Sequence, residues 1–166
     1  MSAGAFPAAP PSEQLAAAGT SAAFVAAILP ALSDRLQALL RELEATLPSI
    51  DRLVLSHGDF SARQLLVTPD GLAVVDLDAL CLAPAAFDPA TFAAHLVSGE
   101  RGGLGHALEV LEELVEGYGG RPEGLSWYLA TCILRHSRYP FRYLDEDWPE
   151  RVESMITAAE TALAAR

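Results

Sequence analysis

Between Leu53 and Asp78 the spacing of apolar residues changes, and that change limits what the chain can fold into. Leu53-Val54-Leu55, Leu65-Leu66-Val67 and Leu72-Ala73-Val74-Val75 are short unbroken apolar runs of strand length. Thr68-Pro69-Asp70-Gly71 separates the last two and signals a hairpin. On both sides the apolar residues return at helical spacing instead. Upstream, Leu32, Leu36, Leu39, Leu40, Leu43 and Leu47 form a stripe, with Ser33 placed to cap it and Pro48 to close it. Downstream, three more stripes follow: Leu104, Leu108, Leu111, Val115 and Tyr118, ended by Gly119-Gly120; Leu125, Leu129, Cys132 and Ile133; and Val152, Ile156, Ala159 and Leu163. Asp147 and Glu150 have capping-box spacing before the last stripe, and Pro149 suits its first turn. The expectation is a mainly α fold with a small β-hairpin region embedded in it.

Composition narrows the function classes. With 166 residues the chain fits one domain with a real core. A formal net charge of −11 argues against a nucleic-acid footprint and would draw a cationic partner. The longest apolar run, Ala22 to Leu32, is interrupted by Pro30 and too short to span a bilayer, so no membrane partner is expected. Cys81 and Cys132 have no metal spacing and read as buried thiols in a reducing, cytoplasmic setting. Residues 1–20, with Pro7, Pro10 and Pro11, read as a flexible Ala/Pro-rich arm ahead of a helical domain at 21–166.

The chemistry lies in the β region. His57-Gly58-Asp59-Phe60-Ser61-Ala62-Arg63-Gln64 places an acid in a turn after an apolar run, and Asp76 ends the run Leu72 to Val75. Phosphoryl-transfer catalysts need one carboxylate to orient the attacking hydroxyl and another to hold magnesium. An acid closing a buried strand calls for a partner or a cation. Asp78 lies two residues on, on the same side if the strand continues, as a further outer group or a solvated turn residue. Asp88, in Ala86-Phe87-Asp88-Pro89, fits an N-cap. His95, His106 and His136 lack ligand spacing.

In order and spacing these residues resemble the aminoglycoside phosphotransferase family of the protein-kinase-like superfamily. The likeness runs from about Leu53 to the C-terminus, where Gly124 to Tyr128, Pro140 to Arg142 and Asp147 to Arg151 resemble the last helices of bacterial members. The resemblance implies a kinase-like C-terminal lobe. In it Asp59 is the catalytic carboxylate, His57 and Asp88 support its turn, and Asp76 and Gln64 bind magnesium with ATP as co-substrate. Gln64 departs from the family, where Asn is typical; the longer side chain shifts the geometry, and magnesium tolerates misplacement poorly.

The rest of the family machinery is not evident. The sequence has no Lys, so the Lys that contacts the nucleotide phosphates has no counterpart in it. The residues before Asp59 read as arm and helix, not as an N-terminal β lobe, and Arg35, Arg41 and Arg52 lie in or beside a helix. Three readings follow. In the first the chain is an aminoglycoside phosphotransferase-like domain, truncated, phosphorylating a hydroxyl of a small cationic or amino-alcohol substrate with a missing N-lobe partner. In the second it is a lobe-only pseudokinase that binds a small molecule or protein, with a homodimer covering the exposed cleft face. A third, a two-metal phosphoester hydrolase using His57, Asp59, Asp76 and Asp78, lacks converging ligands from several segments.

Overall fold

The computed structural model describes residues 6–50, 52–99 and 103–165. Its architecture is mainly helical with two small two-stranded sheets. Helices α1 (Pro11–Ile28) and α2 (Ser33–Ala45) come first, joined by a tight turn at Pro30–Leu32. Strands β1 (Val54–Ser56), β2 (Leu65–Thr68), β3 (Gly71–Val74) and β4 (Cys81–Ala83) follow. The rest is α3 (Phe87–Ser98), α4 (Leu104–Tyr118), α5 (Leu125–His136), the single turn α6 (Tyr139–Arg142) and α7 (Trp148–Ala164).

Helix α5 is the axis of the core. Ten of its twelve residues are buried, as expected of a helix apolar on every side. Helices α1, α3 and α7 surround it, and α4 packs outside α3. The α7 stripe Val152, Ile156, Ala159 and Leu163 is fully buried, and so is the α5 stripe. At 25 cal/mol per Å², each such aliphatic side chain contributes roughly 1.5–3 kcal/mol by leaving water. The Trp127 indole N–H donates to the Leu43 carbonyl at 2.9 Å, tying α5 to the end of α2.

Three local expectations change. The arm is not loose: Pro11 to Thr20 are helical, and Gln14 and Ala18 are buried. Pro10 and Pro11 start the helix, because a proline at the first turn gives up an N–H that has no partner there anyway. Ahead of it the Ala9 N–H donates to the Leu82 carbonyl and the Leu82 N–H to the Pro7 carbonyl, each at 2.8 Å, so this segment lies along β4. The start of the arm, residues 1–5, lies outside the described residues. Helix α2 ends at Ala45, leaving Leu47 exposed beyond it, and Ser33 is its first residue with no side-chain cap. Asp147 precedes α7 without a side-chain capping bond; Asp145 instead pairs with Arg151, whose other amine donates to the Ser98 carbonyl at 2.7 Å.

Strands β2 and β3 form the hairpin expected at Pro69-Asp70, with Thr68 opposite Gly71 and Leu65 opposite Val74. Strands β1 and β4 pair antiparallel, Val54 opposite Ala83 and Ser56 opposite Cys81. The hairpin is thus framed by two strands that anchor it to the helical body. Its own apolar residues stay uncovered: Val67 is 88% exposed and Leu72, directly opposite, 69%.

Candidate active site

The turn after β1 is held from three sides. The Asp88 carboxylate, in the first turn of α3, accepts the backbone N–H of His57 at 2.6 Å and of Gly58 at 3.0 Å. Asp88 therefore caps a neighbouring turn, not its own helix. The buried His57 ring reaches the Val75 carbonyl through Nε2 at 3.0 Å. A carbonyl can only accept, so Nε2 carries the proton. That bond fixes the ring against the segment that leads into Asp76, while Nδ1 is buried without a hydrogen-bond partner. Gly58 adopts φ +89°, and a Cβ there would meet the Ala79 carbonyl oxygen at 2.1 Å. Only glycine permits this contact, which seats the Asp59 turn on the turn at Leu77–Ala79.

Asp59 itself is half-exposed, and its Oδ1 accepts from His95 Nε2 at 3.2 Å. That hydrogen bond holds the carboxyl below its ordinary value, against the opposing effect of partial burial; the electrostatics of the neighbouring His95, His136 and Arg135 act in the same lowering direction. His95 was not marked as functional by the sequence. The signal available was its place on the helix that Asp88 opens, two turns further along. Its ring lies 4.5 Å from that of His136, which is buried and driven down to about 3 chiefly by desolvation.

Gln64 is buried, and its Oε1 accepts the Ser61 hydroxyl, which in turn accepts the Arg63 N–H. Its carbonyl accepts the Val75 N–H at 3.0 Å. Val75 is thus bonded to His57 through its carbonyl and to Gln64 through its amide, so the segments carrying Asp59, Gln64 and Asp76 are fastened together. Asp76 is exposed and lies in the left-handed region at φ 63°, an uncommon conformation that Asp tolerates better than most residues. The strand does not continue past Val74. Asp78 consequently falls in the following turn, exposed, and is not aligned with Asp76 by strand alternation.

The carboxylate of Asp76 and the amide oxygen of Gln64 are hard oxygen donors of the kind magnesium takes. Gln64 Oε1 already accepts from the Ser61 hydroxyl, which leaves it a second lone pair. Among the described residues no three His, Cys, Asp or Glu side chains are grouped so as to hold a metal ion by themselves.

A cavity of about 780 Å³ opens beside this site, between the Ser61–Arg63 segment, α3 and the α6 region. His95, Tyr139 and Tyr143 line it together with Arg63, Asp145 and Arg151. The acidic surplus of the chain is not concentrated there. Of the cations considered as stand-ins for the missing Lys, Arg35 is paired with Glu160 and Glu153 on α7, and Arg41 donates to the Gln37 carbonyl.

The model of the phosphotransferase enzyme family matches residues 4–130, more than half of the sequence. The chain belongs to that family. The match takes in α1 and α2, upstream of the segment whose motifs carry the resemblance, and ends within α5. Among solved structures, spectinomycin phosphotransferase APH(9)-Ia, determined in complex with ADP and spectinomycin, is similar to 96% of this phosphotransferase-family chain, with a TM-score of 0.54 and 17% identity. This chain spans 57% of that protein's length, consistent with a mainly α, partial kinase-like fold. No curated protein matches. Among the described residues no helix is long and apolar enough to cross a membrane.

Proposed function

We propose that this chain is the acidic half of a small-molecule kinase, transferring the terminal phosphoryl group of ATP to a hydroxyl. The observation that carries this is the locked turn. Asp59 projects from a backbone fixed by Asp88, Val75 and Ala79 and stands beside a cavity large enough for a small molecule. A carboxylate held below its ordinary value stays ionised and orients a hydroxyl by accepting its hydrogen bond. Asp76, with Gln64 assisting, would hold magnesium, which would supply charge neutralisation on the phosphates. The phosphate contact that Lys makes in kinases is not available from these 166 residues, so the reading requires a nucleotide-holding lobe from a second polypeptide segment. The acceptor we assign is a small amino-alcohol, whose ammonium group would find cation–π contact in a cavity whose walls include the Tyr139 and Tyr143 rings. The setting we assign is cytoplasmic, with Cys81 and Cys132 as buried free thiols.

A second reading, a pseudokinase binding module, is favoured by the engaged Gln64 oxygen and by the apolar hairpin face around Val67 and Leu72, which suits a second copy of the chain. The deciding experiment is phosphoryl transfer from ATP with magnesium to a panel of amino alcohols that includes spectinomycin. It is run on the chain alone and with a co-expressed family N-lobe. Transfer abolished by Asp59→Asn supports the kinase. Absence of transfer in both settings, with self-association or ligand binding intact, supports the module.

A further inference from the structure

His95 stands in contact with Asp59 and lines the cavity, yet neither its spacing nor the motif around Asp88 marks it. Its Nε2–H donates to Asp59 Oδ1 at 3.2 Å. Among the described residues, Oδ2 of the same carboxylate has no hydrogen bond. The plane of the His95 ring is set from behind by the His136 ring at 4.5 Å, which stacks on Tyr139 at 4.7 Å and 24°. His136 is buried on α5 and held neutral, so it supports the ring without competing for the carboxylate. His95 and Tyr139 both line the cavity, so this aromatic stack forms a wall of the space where an acceptor molecule would sit.

From this geometry we infer that His95 is the positioning residue for Asp59: it occupies one carboxylate oxygen and thereby leaves the other for the acceptor hydroxyl. The inference rests on the kinase reading of the site and adds a residue to it. A freely rotating carboxylate would offer either oxygen in many orientations. One fixed by a donor whose ring packs against the buried His136 ring offers a single oxygen in a narrow range of directions, which is what alignment of an attacking hydroxyl needs. The charged or titratable groups around the pair are His136 and Arg135 from α5 and Tyr139 from α6.

The test uses the full chain with carbon-13 in its Asp carboxyl groups, followed by NMR across acid pH, with Asp59→Asn to assign the signal. In the unaltered protein Asp59 titrates below the ordinary carboxylate range. His95→Phe keeps a ring against His136 but has no donor, and the Asp59 midpoint rises. His95→Gln keeps an N–H donor and recovers part of the depression. An Asp59 midpoint that does not move in His95→Phe overturns the inference. In the transfer assay His95→Phe lowers kcat about tenfold with the acceptor KM unchanged, the scale of one lost hydrogen bond in the transition state, and His95→Gln restores most of it. An unchanged kcat with a raised KM also overturns it. If the unaltered chain transfers no phosphoryl group either alone or with the co-expressed N-lobe, the kinase reading fails, and the titration alone decides the His95 role.

Discussion

Asp88 accepts the backbone N–H of His57 at 2.6 Å, so an acid on α3 fixes a turn 31 residues earlier in the chain. Its other oxygen takes the Gly58 N–H at 3.0 Å. Hydrogen bonds to a charged acceptor contribute about 1.5–3 kcal/mol each, and removing the acceptor strands both donors in a partly buried turn. Asp88→Ala is therefore expected to destabilise the fold by about 2–4 kcal/mol in urea melts. Asp88→Asn, which keeps one good acceptor, loses about half of that.

Gly58 makes the sharpest steric prediction. Gly58→Ala places a Cβ 2.1 Å from a backbone oxygen in a positive-φ conformation, so either the Asp59 turn or the Ala79 turn must shift. A loss of more than ~2 kcal/mol in thermal or urea unfolding is expected. Gly71→Ala meets only the conformational part, since nothing lies within 4 Å of its Cβ. Gly19→Ala, inside α1 with open space around it, is expected to stabilise by about 0.5–1 kcal/mol.

His136 sets an acid dependence of stability. Folded, it binds a proton only near pH 3; unfolded, near its ordinary 6.5. Between those values the unfolded chain holds more protons, so stability is full above about pH 6.5 and falls as pH is lowered toward 3. From pH 7 to 5 the loss is about 2 kcal/mol on these values. Urea midpoints against pH should show it, and His136→Phe should flatten the slope over that range.

The exposed hairpin face predicts self-association. Val67 and Leu72 sit opposite each other, with the exposed Val74 two residues along on the same face. Sedimentation at rising concentration should show a reversible dimer that Val67→Glu with Leu72→Glu abolishes, while the helical circular dichroism stays unchanged. A clean monomer at high concentration rejects the dimer.

Much of this was legible in the residues, for reasons tied to particular elements. The stripes of α5 and α7 are read correctly because burial on one or all faces imposes a helical period that no other structure reproduces. The hairpin follows from Pro69-Asp70-Gly71 between apolar runs. The helix over Pro11 to Thr20 is hidden in the sequence because its prolines look like breakers, while their location at the first turn makes them starters. In the site, Asp59, Asp76 and Asp88 stand out as acids at the ends of apolar runs. His95 does not, because its contact with Asp59 spans 36 residues and depends on how α3 docks, which no local spacing encodes. Gln64 could be named, but its bond to Ser61 could not be foreseen from identity alone.

Val75 spends both of its backbone groups on the far side of the site, accepting from His57 and donating to Gln64. Asp76 is its immediate chain neighbour. A ligand that pulls on Asp76 therefore pulls on the Asp59 turn through a linkage one residue long. On the kinase reading proposed above, cation affinity at Asp76 and hydroxyl alignment at Asp59 would be mechanically coupled variables: a substitution that tightens one would displace the other, and separating them would first require cutting a bond to Val75.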